Sequence, residues 1–353
     1  MKIIDISGFG HSGKTAVSDL LREIEGVHAH DHSFEFGLMR FPDGILDLEY
    51  HLCSNWSPIR SDRAIKRFRQ LCQRLSCGYN RNLTDSFLDE SEKYLSSLIE
   101  GKIYVKGWFD VLYDAPRINI PKEVFRKLGL LKIIMRVKSL ISSPQETGQE
   151  KAEVFLTCSQ GFVQKTKTYL NNILCSSLQA NNTAILTNNV MEPFSPSSSI
   201  RFFDDAYSVI VQRDPRDIYA SVLRYEQSFV PEFELHNERF SPEYLKNLKQ
   251  DMLGMDDIEA FIIRQKVYKR EIDAGSDSER VIRINYEDLV LNYDATVSNL
   301  FKRLKIDASK HLQKKKFFDP KQSSQNVGMW KILSGREEIK RIENALPNAL
   351  YDN

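Results

Sequence analysis

The chain has 353 residues, 41% of them hydrophobic and 27% charged, and 49 basic against 48 acidic residues leave a formal net charge of +1. This is the composition of an ordinary soluble protein, long enough for one large α/β domain or two smaller ones. It gives no bulk attraction to nucleic acid, so any anion site has to be local.

The N-terminal run KIIDIS (2–7) reads as a strand, GFGHSGKT (8–15) as a glycine-rich loop, and TAVSDLLREIEG as a helix that closes at Gly26. The start MKIIDISGFG lacks the basic, apolar and small-residue regions of a signal peptide, so export by that route is not expected. VHAHD follows as a second strand. From about Phe41 to Leu178 the periodicity is mostly helical, and this stretch is read as a large helical insertion. It holds Arg60, Arg63, Lys66, Arg67, Arg69 and Arg74, either the solvated side of an amphipathic helix or a basic wall for an acidic acceptor. It also holds LGLLKIIMRVKSLI (128–141), too short and too charged to span a membrane, and the polar loop SSPQETGQEK (142–151).

Further on, NNTAILTNN (181–189), AYSVIVQRD (206–214) and RVIRINYEDL (280–289) read as strands. Between and after them PEYLKNLKQDM, DDIEAFIIRQKVYKREID and DATVSNLFKRLKID read as helices. Strands separated by helices predict an α/β fold, a parallel β-sheet flanked by helices of the P-loop nucleotide-binding type. There is no internal repeat. The five cysteines, an odd number without metal-ligand spacing, point to a reducing compartment, and a cytoplasmic protein is expected. His28, His30 and His32 alternate along VHAHDHSFEF, but without a second ligand cluster no metal is expected.

Two motifs carry the chemistry. GFGHSGKT fits G-x-x-x-x-G-K-[ST], in which backbone N–H groups turn inward around an anion and a lysine adds a mobile charge. VIVQRDPRDIYAS (209–221) runs from a strand through Arg213 and a bend at Pro215 into a helix, so Arg213 and Ser221 converge at the edge where open α/β sheets bind ligands. The bland alternative is a strand-end arginine paired with Asp214 or Asp217.

R-D-P-R-D-x-x-x-S resembles the 3′-phosphate-binding motif of the sulfotransferases that use 3′-phosphoadenosine 5′-phosphosulfate, with Arg213 and Ser221 at its anion-contacting positions. HSGKT is similar to that family's 5′-phosphosulfate loop. RINYEDLV resembles a recurring family segment, and NVGMWK (326–331) the C-terminal G-x-W-K element, so the matches run in the family's order from Gly8 to Lys331. The resemblance implies a single sulfotransferase-like domain over 1–353, with the mainly helical insertion at about 41–178. It implies donor binding by Gly10, His11, Ser12, Gly13, Lys14, Thr15, Arg213, Ser221, Lys321, Trp330 and Lys331.

This sequence departs from the family at two places. His11 stands where the family has its loop lysine, so Lys14 or His11 neutralises the leaving oxygen, and Lys14 is favoured because its charge is independent of pH near neutrality. Ser323 and Ser324 stand where the family has a basic pair, with Lys321 nearby. The family's base is a Glu or a His. In its carbohydrate-modifying branch a Glu follows the second strand, which here is Glu35, with its neighbours His32 and Asp31 as the other candidates. The resemblance thus implies sulfuryl transfer to a hydroxyl, of a carbohydrate by preference. It implies neither a metal nor a nucleic-acid partner nor a membrane span. Two alternatives remain, a P-loop kinase using ATP or GTP with magnesium, and a nucleotide-binding protein without catalysis.

Overall fold

The computed structural model describes residues 1–30, 34–106, 151–176, 178–191, 195–225, 256–274 and 278–351. The calls on LGLLKIIMRVKSLI, on PEYLKNLKQDM and on His32 and Asp31 lie outside these residues.

A five-stranded parallel sheet organises the chain, in the spatial order β2-β5-β1-β6-β7. Its strands are β1 (Lys2–Gly8), β2 (Val27–Ala29), β5 (Ala184–Asn188), β6 (Asp205–Gln212) and β7 (Val281–Asn285), each overlapping the run read from the sequence. β1 is central, with Ile4 in register with Leu186 of β5 on one side and Tyr207 of β6 on the other. Its side chains alternate as a doubly covered strand requires: Ile3 enters one core, while Ile4 and Ile6 enter the other.

The second of these cores is closed by α1 (Lys14–Arg22) and, late in the chain, by α7 (Tyr286–Leu291) and α8 (Tyr293–Leu304). The first is closed by the long connection from β2 to β5. Its described part holds α2 (Pro58–Asn82), α3 (Phe87–Leu98) and α4 (Phe162–Cys175), whose apolar faces meet around Phe68, Phe87 and Leu170. α2 begins where Ser57 accepts a hydrogen bond from the Arg60 N–H and Pro58 fills the first turn. A third core joins α5 (Pro215–Arg224), α6 (Asp257–Ala274) and α9 (Glu337–Ala345).

Within the stretch read as mainly helical, 41–178, β3 (Ile99–Lys106) and β4 (Lys151–Thr157) form a separate antiparallel pair. The alternation in KAEVFLT marks it, since Phe155 is buried and its neighbour Leu156 is exposed. The structure corrects the reading of RVIRINYEDL, which does not stay extended. It turns helical at Tyr286, with the acidic residues Glu287 and Asp288 in the first turn of α7.

The basic side chains of α2 meet the protein's own carboxylates. Lys66 pairs with Asp62 at 3.0 Å, Arg69 with Glu92 at 2.6 Å and Arg67 with Asp43 at 3.4 Å. This favours the solvated helix over the acceptor-binding wall.

Candidate active site

The glycine-rich loop joins the central strand to α1, at the C-terminal edge of the sheet, and its two sides open on different cavities. Gly13 shapes the turn. Its φ is 93°, and a Cβ there would stand 2.3 Å from Cδ2 of Tyr286 at the start of α7. Gly13→Ala is therefore expected to lose at least about 2 kcal/mol in urea unfolding, from overpacking and left-handed strain together. A variant as stable as the parent would show that Tyr286 gives way.

On one side, the structure brings His11, Arg213 and Ser221 together. Arg213 leaves the end of β6 and donates from Nη1 to the His11 carbonyl at 2.9 Å and from Nη2 to the Asn326 carbonyl. Ser221 lies on α5, and its Oγ is 3.0 Å from Nδ1 of His11. The arginine that pairs with Asp214 is Arg216, at 2.6 Å, so Arg213 keeps its guanidinium at the loop. Asp214 also caps α5 by accepting from the Arg216 N–H at 2.8 Å. These residues face a cavity of about 460 Å³ that Ser12, Lys14 and Ser323 also line. Ser12 is 1% exposed, and its Oγ has no hydrogen-bond partner, nor has Nε of Arg213.

On the other side, a cavity of about 240 Å³ is lined by Gly10, Lys14, Thr15, His30, Phe34 and Glu35, among others. Lys14 Nζ lies 3.6 Å from Oε1 of Glu35. Burial pushes the Lys14 ammonium below the usual lysine range, and the charge of Glu35 works against that fall. Glu35 is held from two further sides, by Arg40 at 2.6 Å and by the Asn189 side-chain amide, which donates at 3.0 Å. His30 is pushed down to about 4 by burial and by His28, so it is neutral near pH 7.

The remaining sequence candidates lie elsewhere. Trp330 and Lys331 line a separate recess, where Arg216 stacks 3.9 Å above the Trp330 ring. Asp217 fastens that turn by accepting from the N–H groups of Gly328 at 2.8 Å and Trp330 at 3.0 Å. Lys321 is exposed on the turn whose Gln322 and Ser323 line the larger cavity.

Sequence reasoning missed Asn189, Arg40 and Tyr286 as parts of the site. Tyr286 stood in a segment already singled out, whereas nothing in TNNV distinguishes Asn189 from a strand-ending residue. Among the described residues, no cluster of His, Cys, Asp or Glu is arranged to hold a metal, and no helix is long and apolar enough to cross a membrane.

No protein-family model and no curated protein matches the chain. Among solved structures it is similar to the sulfotransferase domain of the Synechococcus PCC 7002 olefin synthase, at 13% identity over 100% of this chain and 96% of that one, with a TM-score of 0.42. It is also similar to the sulfotransferase domain from the curacin biosynthetic pathway, at 14% identity over 99% of both chains and a TM-score of 0.40. A third likeness is to retinol dehydratase in complex with androsterone and inactive cofactor PAP, at 12% identity over 100% of this chain and 82% of that one, with a TM-score of 0.36. The fold is similar to that of these proteins, at a distance where likeness alone assigns no reaction.

Proposed function

We propose that the protein is a sulfotransferase that moves a sulfuryl group from 3′-phosphoadenosine 5′-phosphosulfate to a hydroxyl acceptor. The observation that carries this is the position of Lys14 and Thr15, which line both cavities. The larger cavity has donors without partners in Ser12 and Arg213, and the smaller has Glu35 beside Lys14, an arrangement that suits transfer between two substrates.

The residues fit the donor. Ser12 Oγ and Arg213 Nε are polar atoms left without partners beside the larger cavity, and a buried donor in that state favours an anion. The Ser12 hydroxyl and the N–H groups of Gly13 and Lys14, at the start of α1, suit the 5′-phosphate, while Arg213, Ser221 and His11 suit the 3′-phosphate. The donor supplies an activated sulfur–oxygen bond. Glu35 takes the proton of the acceptor hydroxyl as its oxygen bonds to sulfur. Lys14 offsets the charge that grows on the phosphate oxygen as the old bond breaks. His32 is the second candidate for the base.

We read the acceptor as a carbohydrate hydroxyl. The rings of His30 and Phe34 line the cavity beside Glu35 and offer faces for a sugar to stack on.

A kinase needs a carboxylate placed for magnesium by the nucleotide. Asp288, the residue the sequence offers for that task, accepts from Tyr351 Oη at 2.7 Å and lines neither cavity. The catalytically inactive reading rests on His11, Ser323 and Ser324 and is decided by the transfer assay.

The test is a thermal-shift titration with 3′-phosphoadenosine 5′-phosphate without metal, beside ATP and GTP with Mg²⁺. A ligand that binds only the native state raises the melting temperature. Stabilisation by the bisphosphate alone is expected, and stabilisation by a nucleoside triphosphate alone would overturn the proposal. Glu35→Gln is expected to keep bisphosphate affinity and to lower the transfer rate about 10²-fold or more. An unchanged rate would move the base to His32.

A further inference from the structure

The geometry points to Asn189 as a positioning residue that aims the Glu35 carboxylate, in a turn held rigid by the buried carboxylate of Asp5. The inference rests on the role of Glu35 given above.

Asp5 lies in the middle of β1 with no solvent exposure. A carboxylate there is costly unless donors surround it. It accepts from the Thr187 hydroxyl at 2.8 Å, the Val190 N–H at 2.8 Å and the Met191 N–H at 2.9 Å. Burial raises its pKa to about 6, so it is ionised at neutral pH and accepts all three bonds.

Those bonds fix the chain as it leaves β5. Between them Asn189 takes φ 55°, a left-handed conformation that asparagine tolerates better than most residues. Its own N–H donates to the Ile6 carbonyl at 3.1 Å, and the preceding Asn188 carbonyl accepts from the Phe36 N–H at 3.0 Å. The turn is thus tied to β1 below and to the Glu35 segment above. From it the Asn189 side chain, in a residue only 7% exposed, reaches Oε1 of Glu35, the oxygen that faces Lys14. Arg40 takes the other oxygen. A carboxylate fixed on both oxygens cannot rotate, and fixed orientation is what transfer to an in-line acceptor demands.

The alternative is that Asp5 and Asn189 only stabilise a turn. Asn189→Gly separates the two, because glycine accepts the positive φ and removes only the amide. The variant is expected to lower kcat at least tenfold, the scale of a hydrogen bond to a charged group, while the KM for the donor and the thermal shift by 3′-phosphoadenosine 5′-phosphate stay within twofold. In its crystal structure the turn from 188 to 191 should be unchanged and the Glu35 carboxylate rotated away from Lys14. A wild-type kcat, or a Glu35 carboxylate still in place, would overturn the inference. If the parent protein transfers no sulfuryl group, the reaction reading fails on its own, and the crystal structure of the variant still decides whether Asn189 aims Glu35.

Discussion

Lys14→Met is expected to lower sulfuryl transfer about 10³-fold, the cost of deleting one preorganised group from a developing oxyanion. Methionine keeps the length and apolar stem of the side chain and removes only its charge. The fold should survive, because Glu35 retains Arg40 and Asn189 as partners when the ammonium is gone. The comparison that gives the experiment its force is His11→Ala. The sequence left Lys14 and His11 as rivals for the leaving oxygen, and the two side chains point to different work. Lys14 reaches Glu35, between the cavities, whereas the His11 ring meets Ser221 on the far side of the loop. His11→Ala should therefore weaken donor binding more than it slows the chemical step. Single-turnover rates at saturating donor, with a labelled sulfuryl group, read the two effects apart. A Lys14→Met rate within tenfold of the parent, beside a large loss in His11→Ala, would reverse the assignment.

The sheet was legible because its signal is local. Short apolar runs such as AYSVIVQRD (206–214), bounded by polar clusters, became β6 within about two residues of the expected limits. The error in RINYEDL arose at a boundary: apolar alternation ends at Ile284, but the acidic start of α7 was absorbed into the strand. The antiparallel pair of β3 and β4 was hidden by distance, since Ile99 pairs with Thr157 across almost sixty intervening residues and local helical periodicity dominates the sequence between them. Loop and strand-end motifs singled out Lys14, Arg213 and Ser221, which line one cavity, because each belongs to a contiguous pattern. Asn189 and Arg40 belong to none. Asn189 reaches Glu35 only through the packing of β5 beside the segment after β2, which a linear reading does not contain, and Arg40 reaches it from five residues along the same segment. Trp330 shows the converse: its motif was conspicuous, yet the structure sets it against Arg216 and Asp217, outside both cavities that Lys14 lines.

Arg213→Ala should weaken 3′-phosphoadenosine 5′-phosphate about 100-fold and adenosine 5′-phosphate less than threefold, as read by calorimetry on both ligands. The size follows from a planar fork that gives two charge-assisted bonds to one phosphate. The selectivity follows from place, since Arg213 and Ser221 both meet His11, whereas the proposed 5′-phosphate contacts lie in the first turn of α1. One complication is built into the structure. Arg213 also ties the His11 carbonyl to that of Asn326, so its removal frees the loop from the turn at 324–326. Adenosine 5′-phosphate is the control for this, because a loop deformed by the lost tie would bind both ligands poorly. Arg213→Lys refines it further. A lysine restores the charge without the fork, so it should recover only part of the bisphosphate affinity if two parallel bonds are what the 3′-phosphate uses. Equal losses for the two nucleotides in Arg213→Ala would mean that Arg213 holds the loop in shape and contacts no phosphate. The larger cavity would then have to take its second anion from Ser221 and the turn at Ser323.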